Sequence, residues 1–573
     1  MYGLRCSNTW RNTYKMMTKT NNENSKKITT IFVIGLIVIL VYAVWKAFYG
    51  LGGKDEPYYY TLVFQMMKGD VLFKEIWGFI NMQSFFIYPL VKFAMFITGG
   101  KEGIFLCLRL IYILILFLSG IFIYKRIKNI SPVSFVVVWF YLLFVPGYHS
   151  VINYNSLSYI CGFTGVVLLF TIKSNRDVFL CGILFGLSVL CQPLLFIEMI
   201  PVLIYVIAKK KEVKRSILFI LGGAIIGIPV LLYIAIKIGF SDFIQCIPWN
   251  LDLLKDTHST SGIVGMLKYS TWALFPQLKI FGINLRIVSA AIIVFILLAF
   301  AINIIYWIRK RKIKMILMNS LLMLCVLYSI TCAIAYSKYT MTVCMAPWLL
   351  FGIVLYLASD NEIIKKLFKL TFAWTIIHGI SFVTSNGGMK SYGIAIYPTV
   401  LITIMLFYDI YWAKYEKKKI FKSAIAVSAV CMMIVGAIFP LRTIGNMANV
   451  KKGACKNLCD TKEFVKTYNR ASDDAKYINK NGEPTLILTH TSNLLLSYEN
   501  EAAQTSTMFD VIDKNLIKRQ IQYYKLFPYK TARGLYIREE DLDGITPEEI
   551  CKMLGFDIKK AVKLKEGIYI ERN

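Results

Sequence analysis

Apolar residues along this chain come in long runs that are separated by short clusters of lysine and arginine. A helix needs about twenty consecutive apolar residues to cross the hydrocarbon core of a bilayer, and most of these runs approach that length. The pattern therefore predicts a polytopic α-helical membrane protein. We expect about 13 transmembrane helices, at residues 28–49, 104–124, 132–148, 156–172, 177–192, 193–208, 216–238, 287–308, 315–335, 341–358, 367–385, 391–413 and 423–441.

The basic clusters fall on every second boundary between the runs, for example at Lys125 to Lys128, Lys209 to Arg215 and Lys414 to Lys422. Cytoplasmic loops of membrane proteins carry an excess of Lys and Arg. The alternation therefore predicts a multi-pass protein of the cell membrane, with a cytoplasmic N-terminal tail at residues 1–27 and an extracytoplasmic C-terminus. The tail is too long and polar for a signal peptide, and no cleavage site follows it, so we expect the first run to be retained.

One stretch decides whether this alternation holds. Residues 177–208 must form either two short spans that are kinked near Gln192-Pro193 or a re-entrant pair. A single crossing would place every later basic cluster on the outer side. We therefore expect a break near Gln192-Pro193.

Three parts of the chain do not span, and all are predicted to lie outside the cytoplasm. They are the loop at residues 50–103, the loop at residues 239–286 and the tail at residues 442–573. Within the first loop, Ser84 to Thr98 is apolar but short for a span, which favours a helix that lies at the membrane interface.

The tail has the composition of a soluble domain. Thr461 to Asn479 has helical periodicity, and Thr546 precedes a proline with a glutamate three residues later, which is the signature of a helix start. Strands are predicted at Thr485 to Thr489, Gly534 to Ile537 and Ile568 to Ile570. The alternation of strands and helices predicts a small α/β domain.

Composition excludes several classes of protein. The 573 residues include 65 Lys and Arg against 34 Asp and Glu, a formal net charge of +31, yet only 17% of the chain is charged. A soluble chain is about one quarter charged, so a soluble enzyme, a secreted factor and a disordered tail are excluded. The positive charge lies mainly at the ends of apolar runs, where it sets topology and contacts anionic lipid. We therefore expect membrane lipids and not nucleic acid as partners.

Two adjacent carboxylates, Asp55 and Glu56, follow the first span directly. A carboxylate near a low-dielectric boundary has a raised proton affinity and suits general-base catalysis. The alternative is an ordinary solvated start of a loop. The loop that follows is aromatic and half apolar, which favours a structured site over that alternative.

The first loop reads DEPYYYTLVFQMMKGDVLFKEIW and continues into an apolar stretch. It resembles the first outer loop of GT-C membrane glycosyltransferases, in particular the branch of the protein mannosyltransferases and the aminoarabinose transferases of lipid A. Their pattern is an Asp-Glu pair, a Gly-Asp, a juxtamembrane helix near a Tyr-Pro or Lys-Pro and an arginine early in the second span. The matching residues here are Asp55-Glu56, Gly69-Asp70, Tyr88-Pro89 and Arg109, and the detailed match covers residues 50–160.

The resemblance implies a GT-C fold and inverting transfer of a sugar from a polyprenyl-phosphate donor to a lipid, glycan or protein acceptor. It implies that Asp55 is the general base and that Glu56 orients the sugar or supports the structure. Lys92 and Arg109 are candidates for binding the donor phosphate, although a membrane-anchoring role is open for both. Candidates for contacts with substrate are Tyr58, His149, Tyr154 and Asn155.

Other readings stay open. A lipid or glycan transporter would show internal repeats and mid-membrane charge, whereas the polar residues here gather on one side. A polysaccharide polymerase or ligase would carry its chemistry in a later loop, and a non-catalytic relative would have lost the carboxylates. No spacing indicates a metal site, although the outer carboxylates could hold a divalent cation. Glu198, inside a predicted span, should face a cavity or a partner, and His258, His378 and His490 are predicted to be structural.

Overall fold

A computed structural model describes residues 21–50, 55–144, 151–210, 213–258, 279–280, 283–334, 344–383 and 389–572. These described residues are 74% helical, with a small sheet near the C-terminus. Its helices up to residue 443 are α1 (Asn21–Ala47), α2 (Asp55–Lys68), α3 (Ser84–Thr98), α4 (Ile104–Ile127), α5 (Ser134–Leu143), α6 (Tyr154–Phe170), α7 (Asn175–Cys191), α8 (Phe196–Lys210), α9 (Val213–Tyr233), α10 (Phe240–His258), α11 (Leu285–Lys310), α12 (Met315–Ile334), α13 (Met345–Ala358), α14 (Glu362–Val383), α15 (Met389–Phe407) and α16 (Lys418–Thr443).

Seven helical segments among the described residues are long and apolar enough to cross a membrane. They are Ile28–Ala47, Ile104–Ile127, Val213–Ile238, Ile287–Lys310, Met315–Ile334, Gly393–Lys414 and Lys418–Ala437. Shorter apolar helices accompany them at Ser134–Leu143, Tyr154–Phe170, Pro193–Val206 and Met345–Ala358. The helices are thus those of a multi-pass membrane protein, as the sequence predicts.

The predicted break near Gln192-Pro193 is confirmed. Helix α7 ends at Cys191, a 3-10 turn covers Pro193–Leu195, and α8 begins at Phe196. Gln192 is extended, with φ −137° and ψ 97°. The cause is local, because a proline disfavours helical geometry at the residue before it and lacks the N–H that would continue the helix.

Helices α7 and α9 approach each other closely at two glycines. A Cβ atom on Gly182 would lie 2.1 Å from the carbonyl oxygen of Phe219, and one on Gly222 would lie 2.2 Å from that of Phe179. Any larger residue at either position would push the backbones apart. Small residues at a crossing are a common means of packing helices in membranes, where lipid supplies no hydrophobic drive for association.

The C-terminal region, residues 444–572, is a small α/β unit, as predicted. Its elements are β3 (Met447–Asn449), β4 (Cys459–Thr461), α17 (Lys462–Asn479), β5 (Thr485–Leu488), α18 (Asn493–Ser497), α19 (Lys514–Leu526), β6 (Gly534–Ile537), α20 (Pro547–Leu554), β7 (Val562–Lys563) and β8 (Ile568–Glu571); β1 (Lys279–Ile280) and β2 (Ile283–Asn284) form a separate hairpin earlier in the chain. The main sheet has the order β5-β6-β8-β7, in which β5 and β6 are parallel and the other pairs are antiparallel.

The predicted helix starts in this region are confirmed. Thr461 caps α17 by accepting from the backbone N–H of Phe464. Thr546 and Glu549 form a reciprocal capping box at the start of α20. Each cap satisfies N–H groups that the first helical turn leaves without partners.

The C-terminal region is hydrogen-bonded to the chain at the end of the first span. The backbone N–H of Cys459 donates to the carbonyl of Phe48 at 2.7 Å, and that of Gly50 donates to the carbonyl of Cys459 at 2.8 Å. Strand β4 therefore lies beside the chain as it leaves α1, close to the first loop.

Candidate functional site

The two adjacent carboxylates begin helix α2, directly after the end of α1. Asp55 is the first residue of α2. Its backbone is described by the structure, whereas its side chain lies outside the described part. Glu56 is 1% exposed and accepts a forked pair of hydrogen bonds from Arg109, from Nε at 2.9 Å and from Nη2 at 2.5 Å. Burial raises the pKa of Glu56, and the guanidinium of Arg109 opposes that rise.

Arg109 uses all its donors inside the protein. Besides Glu56, it donates through Nη1 to the carbonyls of Ala47 at 2.7 Å and Tyr49 at 3.3 Å, and through Nη2 to that of Gly50 at 2.5 Å. A guanidinium has five N–H groups, so none is left for a ligand in this geometry. Arg109 therefore joins the end of α1, the start of α2 and α4, and its predicted contact with a donor phosphate has no available N–H.

Three tyrosines extend the site from α2 to α6. The rings of Tyr58 and Tyr59 are 5.5 Å apart, and those of Tyr59 and Tyr154 are 6.0 Å apart, both edge to face. The Tyr58 hydroxyl donates to Oδ1 of the buried Asn81 at 2.5 Å. The predicted substrate contacts Tyr58 and Tyr154 are thus brought to one place, with Tyr59 between them.

Asn155 belongs to the same polar group. Its Oδ1 accepts from Nε2 of Gln192 at 2.9 Å, which joins the start of α6 to the break between α7 and α8. The preceding turn is fixed by a capping box between Asn153 and Ser156. The polar sequence before α6 therefore serves partly as a helix cap and partly as a contact surface.

A buried acid lies in α8, after that break. Glu198 accepts from Nε1 of Trp374 at 3.1 Å and pairs with Nδ1 of His378 at 2.8 Å, and both partners lie on α14. Gly162 makes room for Trp374, since a Cβ there would lie 2.7 Å from the indole. The expectation that Glu198 faces a partner is confirmed, and His378 is that partner.

The other end of α2 carries a second group of charges, the lysine cluster, formed by Asp70, Glu75, Glu501 and Lys530. Lys530 is 3% exposed and forms ion pairs with Asp70 and Glu501, with Glu75 at 3.9 Å. The Tyr529 hydroxyl donates to Glu75 at 2.5 Å. Burial raises the pKa of Asp70 to about 6, while Lys530 opposes that rise.

Lys68, in the last turn of α2, also contacts the C-terminal region. Its ammonium donates to the carbonyls of Tyr498 and Asn500, both at 2.9 Å. Burial lowers the pKa of Lys68 to about 7. The backbone N–H of Trp77 donates to the carbonyl of Thr505 at 2.9 Å, so the C-terminal region covers much of the first loop.

The remaining predicted site residues lie apart from these contacts. Lys92 is exposed on α3, with its ammonium 5.0 Å above the ring centre of Tyr88. Phe93 and Phe96 beside it are 54% and 83% exposed, which gives α3 an apolar outer face. His149 lies outside the described residues.

Sequence reasoning does not find Asn81, Gln192 or Lys530 as members of the site. Gln192 carries a signal, because a polar side chain at a proline break within an apolar run needs a partner. Asn81 and Lys530 carry none, since polar residues in a loop or a soluble region are usually solvated. Their burial depends on contacts between distant parts of the chain.

No group of three or more His, Cys, Asp or Glu side chains among the described residues is arranged to hold a metal ion. Comparison of the chain with protein-family models and with curated proteins finds no match.

Proposed function

We propose that this protein is a GT-C-like glycosyltransferase that moves a sugar from a polyprenyl-phosphate donor to an acceptor at the extracytoplasmic face of the membrane. In this proposal the chain crosses thirteen times, with its N-terminus in the cytoplasm and its C-terminus outside. The observation that carries the proposal is the fork between Glu56 and Arg109. It fixes the start of α2 at the end of a membrane span and commits one of the two carboxylates to structure.

Because Glu56 is committed to Arg109, we assign the role of general base to Asp55. The donor's lipid tail lies in the bilayer, so its phosphate and sugar reach the end of α1, where Asp55 begins α2. Asp55 accepts the proton of the acceptor hydroxyl while the hydroxyl oxygen forms a bond to the anomeric carbon and inverts it. The bond from that carbon to the phosphate oxygen breaks, and the lipid phosphate leaves with the electron pair.

The leaving phosphate needs a cation nearby to stabilise its charge. We assign this role to Lys92, because the other candidate, Arg109, has all five of its N–H groups occupied. The ammonium of Lys92 is exposed on α3 among exposed apolar residues. That combination suits a ligand with an anionic head and an isoprenoid tail.

The test compares Asp55→Asn with Glu102→Gln, which removes an exposed carboxylate from the same loop. Membranes holding equal amounts of wild type and each variant are supplied with the cell's own polyprenyl-phosphate sugars. Transfer to the envelope fraction is then measured by mass spectrometry. We expect Asp55→Asn to lower transfer by at least about 100-fold, the lower range of general-base contributions, and Glu102→Gln to behave as wild type.

Near-normal transfer by Asp55→Asn would remove Asp55 from the mechanism. A strain without the protein tests the reaction itself, since lipid-linked sugars should accumulate and an envelope glycan should lose a residue. Identical glycans and lipid-linked sugars with and without the protein would contradict the proposal.

One observation favours a second candidate, transport of a lipid or glycan. Glu198 and His378 form a buried ionisable pair within the helical region, and such pairs mark transport pathways in many membrane proteins. A transporter would move its solute without making or breaking a glycosidic bond. Proteoliposomes that accumulate an unmodified lipid-linked sugar on one side, with no change in its mass, would favour transport over transfer.

A further inference from the structure

Two parallel strands of the C-terminal region, β5 and β6, end side by side. Leu488 pairs with Ile537 at their carboxyl ends. Thr489 and His490 follow β5 directly, and Arg538 follows β6. In open α/β sheets, ligands bind beyond the carboxyl ends of parallel strands, because loops with free polar groups gather there.

The turn that carries His490 is held in one conformation. The buried Asp541 accepts on Oδ2 from the Thr489 hydroxyl and from the backbone N–H of His490, both at 2.8 Å. His490 Nδ1 lies 2.7 Å from the carbonyl oxygen of Phe509. A carbonyl only accepts, so the proton on Nδ1 is required.

This hydrogen bond fixes the role of the other ring nitrogen. With Nδ1 protonated, the neutral imidazole presents Nε2 as an acceptor. The ring is half-buried, and no described residue forms a hydrogen bond with Nε2. His490 thus combines a fixed ring with an acceptor that is available to a ligand.

Two hydrogen bonds of Thr507 connect this edge of the sheet to α2. The Ser492 hydroxyl donates to the carbonyl of Thr507 at 2.7 Å, and the Thr507 hydroxyl lies 3.5 Å from the carbonyl oxygen of Tyr58. Thr507 and Phe509 are two residues apart, which is at most about 7 Å of chain. His490 is therefore no more than about 20 Å from the carbonyl of Tyr58, in the first turn of α2.

The charges at this edge select the kind of ligand. Arg538 is paired with Glu540 at 3.0 Å, Glu566 at 3.4 Å and Asp541 at 3.8 Å, so its positive charge is already balanced. Nε of Arg538 has no hydrogen-bond partner among the described residues but is buried. The accessible groups that we assign to a ligand are acceptors, namely Nε2 of His490 and the exposed carboxylate of Asp510. Acceptors of this kind suit sugar hydroxyls and disfavour phosphate.

We propose that the carboxyl edge of β5 and β6, centred on His490, binds a hydroxyl-rich saccharide, and that this saccharide is the acceptor of the transfer reaction. The second part of this inference rests on the proposed function. The site places the acceptor beside α2 from the side of the C-terminal region, whereas the donor comes from the membrane. His490 binds the acceptor and takes no part in breaking the donor bond.

Two substitutions separate the two ring nitrogens. His490→Asn keeps a donor near the Nδ1 position and removes Nε2, whereas His490→Gln keeps a polar atom near the Nε2 position and removes Nδ1. Glu539→Gln, at an exposed position on the same edge, is the matched control. The first measurement is saturation-transfer NMR on the full chain in detergent, with methyl hexopyranosides as neutral probes and sn-glycerol 3-phosphate as the anionic probe.

We expect the wild type and Glu539→Gln to bind the methyl hexosides and His490→Asn to lose at least 80% of that signal, with His490→Gln between them. An unchanged signal in His490→Asn overturns the inference, and so does glycerol phosphate binding more strongly than the hexosides. Equal thermal midpoints of the variants show that folding is preserved.

The second measurement is the transfer assay, in which sugar moved to acceptor and sugar released to water are counted separately. We expect His490→Asn to raise the acceptor concentration for half-maximal transfer about tenfold, the effect of losing about 1.4 kcal/mol of binding, with release to water unchanged. Equal loss of both products would assign His490 to the donor side and overturn the inference. The wild type could also bind hexosides through His490 and yet transfer no sugar. That result would support the saccharide site and contradict the proposal that the protein is a glycosyltransferase.

Discussion

The two ends of helix α2 are both held by buried charges, but in different ways. At the first end Arg109 contacts one carboxylate and three backbone carbonyls. At the other end one lysine, Lys530, is surrounded by three carboxylates and contacts no backbone carbonyl among the described residues. The first arrangement pairs one cation with one carboxylate and three backbone carbonyls, and the second has more carboxylates than cations.

This difference indicates what each end is suited to do. A fork whose donors are all satisfied holds the end of α1 and the start of α2 in one arrangement, which suits the end that presents Asp55. A cluster in which the pKa of Asp70 is about 6 changes its charge near neutrality. The C-terminal region is therefore joined to α2 by contacts whose charge depends on pH near neutrality.

The largest expected effect comes from Arg109→Lys. A single ammonium cannot replace five N–H groups, so the variant leaves Glu56 and the carbonyls at the end of α1 incompletely paired inside the protein. Breaking a buried ion pair costs about 3–5 kcal/mol. We expect little folded protein at any pH, measured as yield of monodisperse protein in detergent and as thermal midpoint. Glu56→Gln leaves the three carbonyl contacts of Arg109 in place and should lower stability less. Equal losses of stability in the two variants would contradict the conclusion that the contacts of Arg109 together join α1, α2 and α4.

Lys530→Met should have the next largest effect. It leaves Asp70, Glu75 and Glu501 close together without a cation, at a cost of about 1–3 kcal/mol for the unsatisfied groups. We expect the C-terminal region to separate from the first loop more often, which limited proteolysis should detect as faster cleavage. The loss should be smaller at pH 5 than at pH 7.5, because protonation of Asp70 reduces the repulsion. A defect of equal size at both pH values would remove the distinction between the two ends.

Asp70→Asn isolates the pH response. Since the folded protein raises the pKa of Asp70 from 3.8 to about 6, the folded state binds this proton more tightly than the unfolded state. The resulting stability is fully present below about pH 4 and is lost as the pH rises through 6. Its size is on the order of 3 kcal/mol.

The thermal midpoint of the wild type, minus that of Asp70→Asn, should therefore fall as the pH rises from 4.5 to 7. The sign follows from burial, which disfavours the ionised carboxylate more than Lys530 favours it. A difference that is constant or rises over this interval would show that the ion pair with Lys530 dominates.

The smallest expected effect is that of Tyr529→Phe. The variant removes the hydroxyl that donates to Glu75 and leaves the ring in place. A single hydrogen bond to a charged group contributes about 1.5–3 kcal/mol, and the 59% exposure of Tyr529 should reduce this to about 1 kcal/mol or less. We expect a shift of a few degrees in thermal midpoint, with transfer activity unchanged. A shift as large as that of Lys530→Met would place the centre of the cluster at Glu75.

The sequence by itself determined the elements of this protein and their class. Long apolar runs predict membrane helices because only a helix satisfies its backbone within lipid. The break at Gln192-Pro193, the caps at Thr461 and Thr546 and the strands at Thr485, Gly534 and Ile568 follow from equally local rules. The sequence also indicates the position of the two carboxylates, because they directly follow the first apolar run.

Only the tertiary structure decided which of these groups are committed to one another. Nothing in the order of residues states that Arg109 reaches back to Glu56, that Glu198 pairs with His378, or that Lys530 contacts Asp70 across most of the length of the chain. The physical reason is that a buried charge takes its partner from whatever side chain packing places beside it. Hydropathy and helix periodicity describe neighbours within one element, whereas the roles of these charges depend on neighbours between elements.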